Sequence, residues 1–144
     1  MLRKFFKRKN NQKGQSLLEF ALIIPIVSVI FMGIFDFGWM LHKQMTMDNA
    51  ARAAARRGAV GIQTPELIQR MKDSVYFDLR DDQIEISILD PEHNDTGDNT
   101  NRTPDNFIVV EVTLTDVQLI TPLKNLISSM GTINLNSRAE FLVE

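Results

Sequence analysis

The stretch that decides the fold is QKGQSLLEFALIIPIVSVIFMGIFDFGWML, Gln12 to Leu41. A basic segment runs into Gly14, a carboxylate follows at Glu19, and from Phe20 to Phe35 there is no charge at all. Only Asp36 interrupts the apolar run before Leu41. A helix needs about 20 mainly apolar residues to cross a bilayer, and Leu17 to Leu41 meets that length. The segment reads as a single membrane-spanning helix. Pro25 lies inside it, which a lipid-embedded helix tolerates when neighbouring groups satisfy the freed carbonyl. Trp39 falls near one interface, where an amphipathic ring is favoured.

Working outward from this run, the chain is asymmetric. The first fourteen residues carry Arg3, Lys4, Lys7, Arg8, Lys9 and Lys13 and no acid. The remainder has ten basic residues against eighteen acidic ones, a net charge of −8 within a total of −2. The positive-inside rule keeps the basic flank cytoplasmic and places the rest outside. An acidic body disfavours nucleic acid as a partner. Cysteine is absent, which excludes disulfides, thiolate nucleophiles and Cys-based metal sites. A secretory signal peptide is the competing reading, with ARAAA (Ala51 to Ala55) imitating a cleavage site, but its apolar core is normally shorter than this run.

Past Leu41 the pattern stays helical. Asp48, Arg52 and Arg56 recur every fourth residue, so they share a face on which Asp48 and Arg52 can pair. Gly58 and Gly61 are candidate terminators. One helix is expected from about Gln15 to Arg57, roughly 60 Å long, so its second half protrudes from the membrane. The alanines from Ala50 to Ala55 are read either as a surface for close helix approach or as plain helix propensity. Arg52, Arg56 and Arg57 suit anionic headgroups, an acidic partner or a solvated face.

Thr64-Pro65-Glu66 predicts a second helix, with Thr64 as N-cap and an apolar stripe of Leu67, Ile68, Met71, Val75 and Leu79, ending at Asp81-Asp82. Alternation predicts three half-buried antiparallel strands, at Gln83–Leu89, Phe107–Thr115 and Thr132–Glu144. Thr121-Pro122 signals a short helix to about Gly131. The fold class is therefore α+β: a long N-terminal transmembrane helix extending outward, then a small domain with a helix packed on a three-stranded antiparallel sheet. The expected division is a leader over 1–14, the membrane and protruding helix over 15–60, and an extracytoplasmic domain over 62–144. A core of this size is modest, and the long helix or a neighbouring subunit is expected to complete its cover.

Candidate chemistry is sparse. Asp90 to Asp105 reads as a polar loop; its Asp95, Asp98 and Asp105 lack the calcium-loop spacing with a terminal Glu. His42 and His93 have no metal-ligand spacing. No glycine-rich phosphate loop or nucleophile–base pattern occurs. No metal, no cofactor and no catalysis are expected.

Glu19 is the residue that needs a reason. An ionisable group in a membrane segment usually faces other protein and pairs there; the plainer reading is a headgroup-level carboxylate. The basic head, Gly14, then Gln15-Ser16-Leu17-Leu18-Glu19 and a retained apolar helix resemble the type III signal of prepilins. Glu19-Phe20-Ala21, Pro25, the Gly33–Asp36 region, the Ala/Arg-rich run to Gly58 and the ending TPLKNLISSMGTINLNSRAEFLVE resemble the TadE-like family, minor pilins or pseudopilins of tight-adherence (Tad) pilus systems.

That resemblance implies cleavage between Gly14 and Gln15 by a prepilin peptidase. It also implies an assembly contact at Glu19, Phe20, Pro25 and Asp36, with Glu19 meeting the new amine of Gln15 on an adjacent subunit. For Asp36 the residues themselves leave open a headgroup-level carboxylate or a partner contact. The implied partners are the peptidase, the major pilin and other minor pilins, the pilus assembly platform and the lipid bilayer. The implied location is the cytoplasmic membrane, crossed once, with the C-terminal domain outside. Gln15, where Phe or Met is common, and the early position of Pro25 depart from major type IVa pilins. The alternative function is a signal-anchored protein whose outer domain binds a ligand or senses.

Overall fold

A computed structural model describes residues 12–98, 100, 102–123, 125 and 132–143. The basic leader over 1–11 and most of the short helix expected between Thr121 and Gly131 lie outside the described residues. Helix α1 runs without interruption from Gln12 to Ala59. Its 48 residues make it about 72 Å long. Helix α2 covers Thr64–Ser74, a 3-10 turn covers Asp81–Gln83, and strands β1 (Ile84–Leu89), β2 (Phe107–Leu114) and β3 (Leu135–Leu142) form one antiparallel sheet in the order β1-β2-β3.

The expected α+β architecture is present, with a different division of labour. The outward half of α1 is itself the main cover of the sheet, lying over β2 and β3, and α2 packs against α1. Met47, Ala50, Ala51, Ala54, Ala55 and Ala59 are buried and recur at the three- and four-residue steps of one helix face. Facing them, Ile84, Ile86, Ile108, Val110, Val112 and Ala139 are buried. Register places Ile86 opposite Val110 and Val110 opposite Ala139, so one sheet face is apolar across all three strands. Each fully buried Ile, Val or Leu contributes about 1.5–3 kcal/mol relative to exposure. The alanine run is thus a floor on which a sheet lies.

Gly58 shows how close that approach is. A Cβ added there would stand 2.3 Å from Ile108 Cδ1 and 3.0 Å from Leu67 Cδ1. Gly58 therefore does not end the helix; it is the point where α1, α2 and β2 meet. The terminator is Gly61, at φ +103°. Its N–H donates to Gly58 O (3.0 Å) while Ile62 N–H donates to Arg57 O (3.2 Å), a Schellman closure that satisfies two terminal carbonyls.

Helix α2 starts after Gln63 as N-cap, with Thr64 already helical, and stops at Ser74 rather than near Asp81. The chain leaves the helix at Val75, φ −104° and ψ 150°, and Tyr76 and Phe77 turn toward α1. Leu79 still reaches the core from this extended segment. β3 is shorter than expected at both ends, although Ile133 O accepts Val117 N–H (2.9 Å) and Val143 N–H donates to Asn106 O (2.8 Å). The 90–105 loop folds back on β1: Thr96 N–H reaches Ile88 O at 3.0 Å, and Asp90 Oδ1 accepts the N–H groups of Glu92 (2.9 Å) and Asn94 (2.8 Å).

Candidate functional site

The expected site residues fall along one reach of α1, from Gly14 to Asp36. At its start Gln15 and Glu19 stand one turn apart on the same face, and Gln15 Nε2 donates to Glu19 Oε1 at 3.3 Å. Both are exposed, as are Gly14 and Phe20. Because α1 begins at Gln12, the Gly14–Gln15 peptide lies inside helical backbone.

From Leu17 to Phe35 the large apolar side chains point outward all round the helix: Leu17 is 72 % exposed, Ile26 58 % and Phe35 71 %. Exposed apolar surface of that extent marks contact with a membrane or with other protein. This is one helix long and apolar enough to cross a membrane. Pro25 sits within it and donates no N–H to the carbonyl of Ala21.

Asp36 ends the sleeve, and it is only 3 % exposed. Its Oδ1 accepts the backbone N–H groups of Ile120 and Thr121, both at 3.0 Å, and its Oδ2 accepts the Thr121 hydroxyl. The carboxylate thus binds the loop between β2 and β3 of its own chain, a contact the sequence reading did not anticipate. Three donors converge on one buried carboxylate, which meets the requirement that a buried charge be hydrogen-bonded.

One turn further out, aromatic side chains gather on one face of the helix. Trp39 meets Tyr76 edge-on at 5.6 Å, His42 stacks on Tyr76 at 5.0 Å, and Tyr76 meets Phe77 edge-on at 5.2 Å. Lys43 Nζ lies 5.8 Å from the Trp39 ring centre and 5.6 Å from that of Phe77. Desolvation raises the Tyr76 hydroxyl above its ordinary pKa, against an opposing hydrogen bond with Thr46. Trp39 stands out in the sequence as a lone tryptophan at the end of the apolar run; its grouping with Tyr76 and His42 does not, because nothing local links Tyr76 to α1.

The remaining candidates serve local structure. Asp48 accepts from Gln44 (3.1 Å), whose amide also donates to Asn136 O on β3 (2.7 Å). Arg52, Arg56 and Arg57 are exposed. Asp90, Asp95 and Asp98 each accept backbone N–H groups within their own turns, and among the described residues no three acids or histidines converge on a metal position. His93 stands 3.1 Å from Glu140 and 4.8 Å from the Phe107 ring.

Against known proteins, residues 14–56 match the family model for TadE-like protein. No curated protein and no solved structure matches the chain.

Proposed function

We propose that this chain is a membrane-anchored minor pilin or pseudopilin of a Tad-type pilus, a structural or assembly component with no catalytic role. The observation that carries the reading is what the family match covers. The TadE-like match over residues 14–56 takes in Gly14, Gln15 and Glu19, the apolar sleeve, and the helix half that floors the sheet.

In this reading a prepilin peptidase cuts between Gly14 and Gln15 on the cytoplasmic side. That bond must leave the helix to enter a peptidase site, and glycine lowers the penalty: it is about 1 kcal/mol less favourable in a helix than alanine. The freed amine of Gln15 then pairs with Glu19 of a neighbouring subunit, replacing the weak Gln15–Glu19 amide contact. Phe20 and Pro25, exposed on the same reach but on other sides of the helix, meet the major pilin, other minor pilins or the assembly platform. Asp36 enters assembly indirectly, by fixing the folded unit to the span.

A secretory cut near Ala53 would take Met47, Ala50 and Ala51 from the floor of the sheet, residues that are 1 %, 6 % and 0 % exposed. The test is the mass of the mature chain in its native host. A cut after Gly14 that Gly14→Val abolishes, leaving full-length precursor in the membrane, is the expected result. An uncut chain would support a signal-anchored binding or sensing protein, and a cut near Ala53 a secreted one; either would overturn the pilin reading.

A further inference from the structure

The membrane reading of α1, on which this inference rests, also sets the depth of a distant loop. Leu17 and Asp36 are 19 residues apart, about 28 Å along a helix. The hydrocarbon layer is about 30 Å thick. With Leu17 at one edge, Asp36 lies at the other. Lifting the folded unit by about 10 Å would drag Glu19 that far into hydrocarbon and bring Phe31, Ile34 and Phe35 into water. Both changes are unfavourable.

Ile120 and Thr121 are held within hydrogen-bond distance of Asp36 and share its depth. Ile120 is 61 % exposed. It borders an open apolar groove with Ile34, Phe35, Gly38, Trp39 and His42, continuous with the sleeve below. Irregular backbone at membrane depth is tolerated only where its polar groups are satisfied. Asp36 satisfies the N–H groups of both 120 and 121. Trp39 in the groove wall and Tyr76 packed against it are the residue types of the headgroup layer, and Lys43 adds a cation beside Trp39.

We infer that the loop around Ile120 is part of the membrane contact. Ile120 inserts among the acyl chains beside Phe35, Trp39 and Tyr76 occupy the headgroup layer, and the folded unit is seated directly on the bilayer without a spacer. The occupant of the groove is phospholipid. Asp36 is then the residue that lets a loop enter the leaflet, by taking the amides that water would otherwise take.

The chain has no cysteine, so single environment-sensitive fluorophores can be placed cleanly. Ile120→Cys, Ile26→Cys and Val60→Cys would be labelled in the full chain reconstituted into phosphatidylcholine/phosphatidylglycerol vesicles. Nitroxide lipids quench from within the bilayer and iodide quenches from water. The expected result is lipid quenching at Ile120→Cys by a nitroxide near the acyl carbonyl, and at Ile26→Cys by one near the chain end. Val60→Cys, 77 % exposed at the far end of α1, should respond to iodide alone. If Ile120→Cys responds to iodide as Val60→Cys does while Ile26→Cys stays in lipid, the seating is wrong and the span survives. If Ile26→Cys also responds to iodide, the membrane reading falls with it. Shielding of Ile120→Cys from both quenchers, relieved by dilution into more lipid, would assign the groove to a second copy and overturn the inference.

Discussion

Replacing Asp36 by alanine isolates the clamp between the span and the folded unit. The carboxylate accepts two backbone amides at 3.0 Å and one hydroxyl. Hydrogen bonds to a charged group are worth about 1.5–3 kcal/mol each net. The full sum is not expected, because the freed loop can turn its amides toward water or headgroups and because the penalty of burying the carboxylate is recovered. A local loss of about 2–4 kcal/mol remains. Each 1.4 kcal/mol is a factor of ten, so amide exchange at Ile120 and Thr121 should accelerate by about 30- to 1000-fold. The Val110 and Val112 amides, inside the β2 ladder, should be little changed. Hydrogen exchange on protein in nanodiscs separates the two sets. Asp36→Asn should fall between, since its carboxamide oxygen still accepts both amides but without charge. Wild-type protection at 120 and 121 in Asp36→Ala would refute the clamp.

Glu19→Leu should insert and be cleaved normally, because the carboxylate is exposed in the single chain and is held by an exposed amide of Gln15; co-purification with pilus components should be lost, and retention at wild-type levels would remove Glu19 from assembly. Gly58→Ala should lower the thermal midpoint in micelles: helix propensity favours alanine by about 1 kcal/mol, overpacking costs about 1–3 kcal/mol, and the clash with Ile108 decides the sign. Gly38→Ala, with open space around it, is the control, and a rise in both midpoints would show that the α1–sheet approach is looser than described. The Asp90 carboxylate is held below its ordinary pKa, chiefly by the Asn94 backbone N–H. Its contribution is therefore present above the unfolded carboxylate range and lost as pH falls through the folded value. Amide protection at Glu92 and Asn94 should disappear under acid and be insensitive to pH near neutrality, and Asp90→Ala should abolish it at every pH.

The parts of the fold that sequence revealed are those with a local period. Ile84, Ile86 and Ile88 alternate because one sheet face is buried, and the apolar sleeve is legible because lipid imposes length without requiring a stripe. Contacts between distant segments left no such mark. Gly58 resembled a terminator because a glycine that ends a helix and one that admits a neighbouring side chain look alike in one dimension; Ile108, the atom it makes room for, is fifty residues away. The alanines gave a surface for close approach, but not the information that a sheet would occupy it. Periodicity overshoots the end of α2 because Val75 and Leu79 keep the helical spacing although the chain between them is bent and not helical. Gly14, Gln15 and Glu19 stood out by their spacing; Asp36 was legible as an anomaly, with its partners 84 and 85 positions downstream.

The continuity of α1 also governs how load passes through the molecule. A helix of 48 residues has no joint between the part in lipid and the part beneath the sheet, so the folded unit cannot swivel on its anchor. A pull along the axis enters the sheet as shear, distributed over the row of alanines from Ala50 to Ala59, and the rows must slide together before any strand peels. The clamp at Asp36 lies at the bilayer end of that row and is loaded first. A pull on the Gln12 end of α1 would therefore move the apolar segment and the sheet as one rigid piston, with failure beginning at the loop and not in the β-ladder.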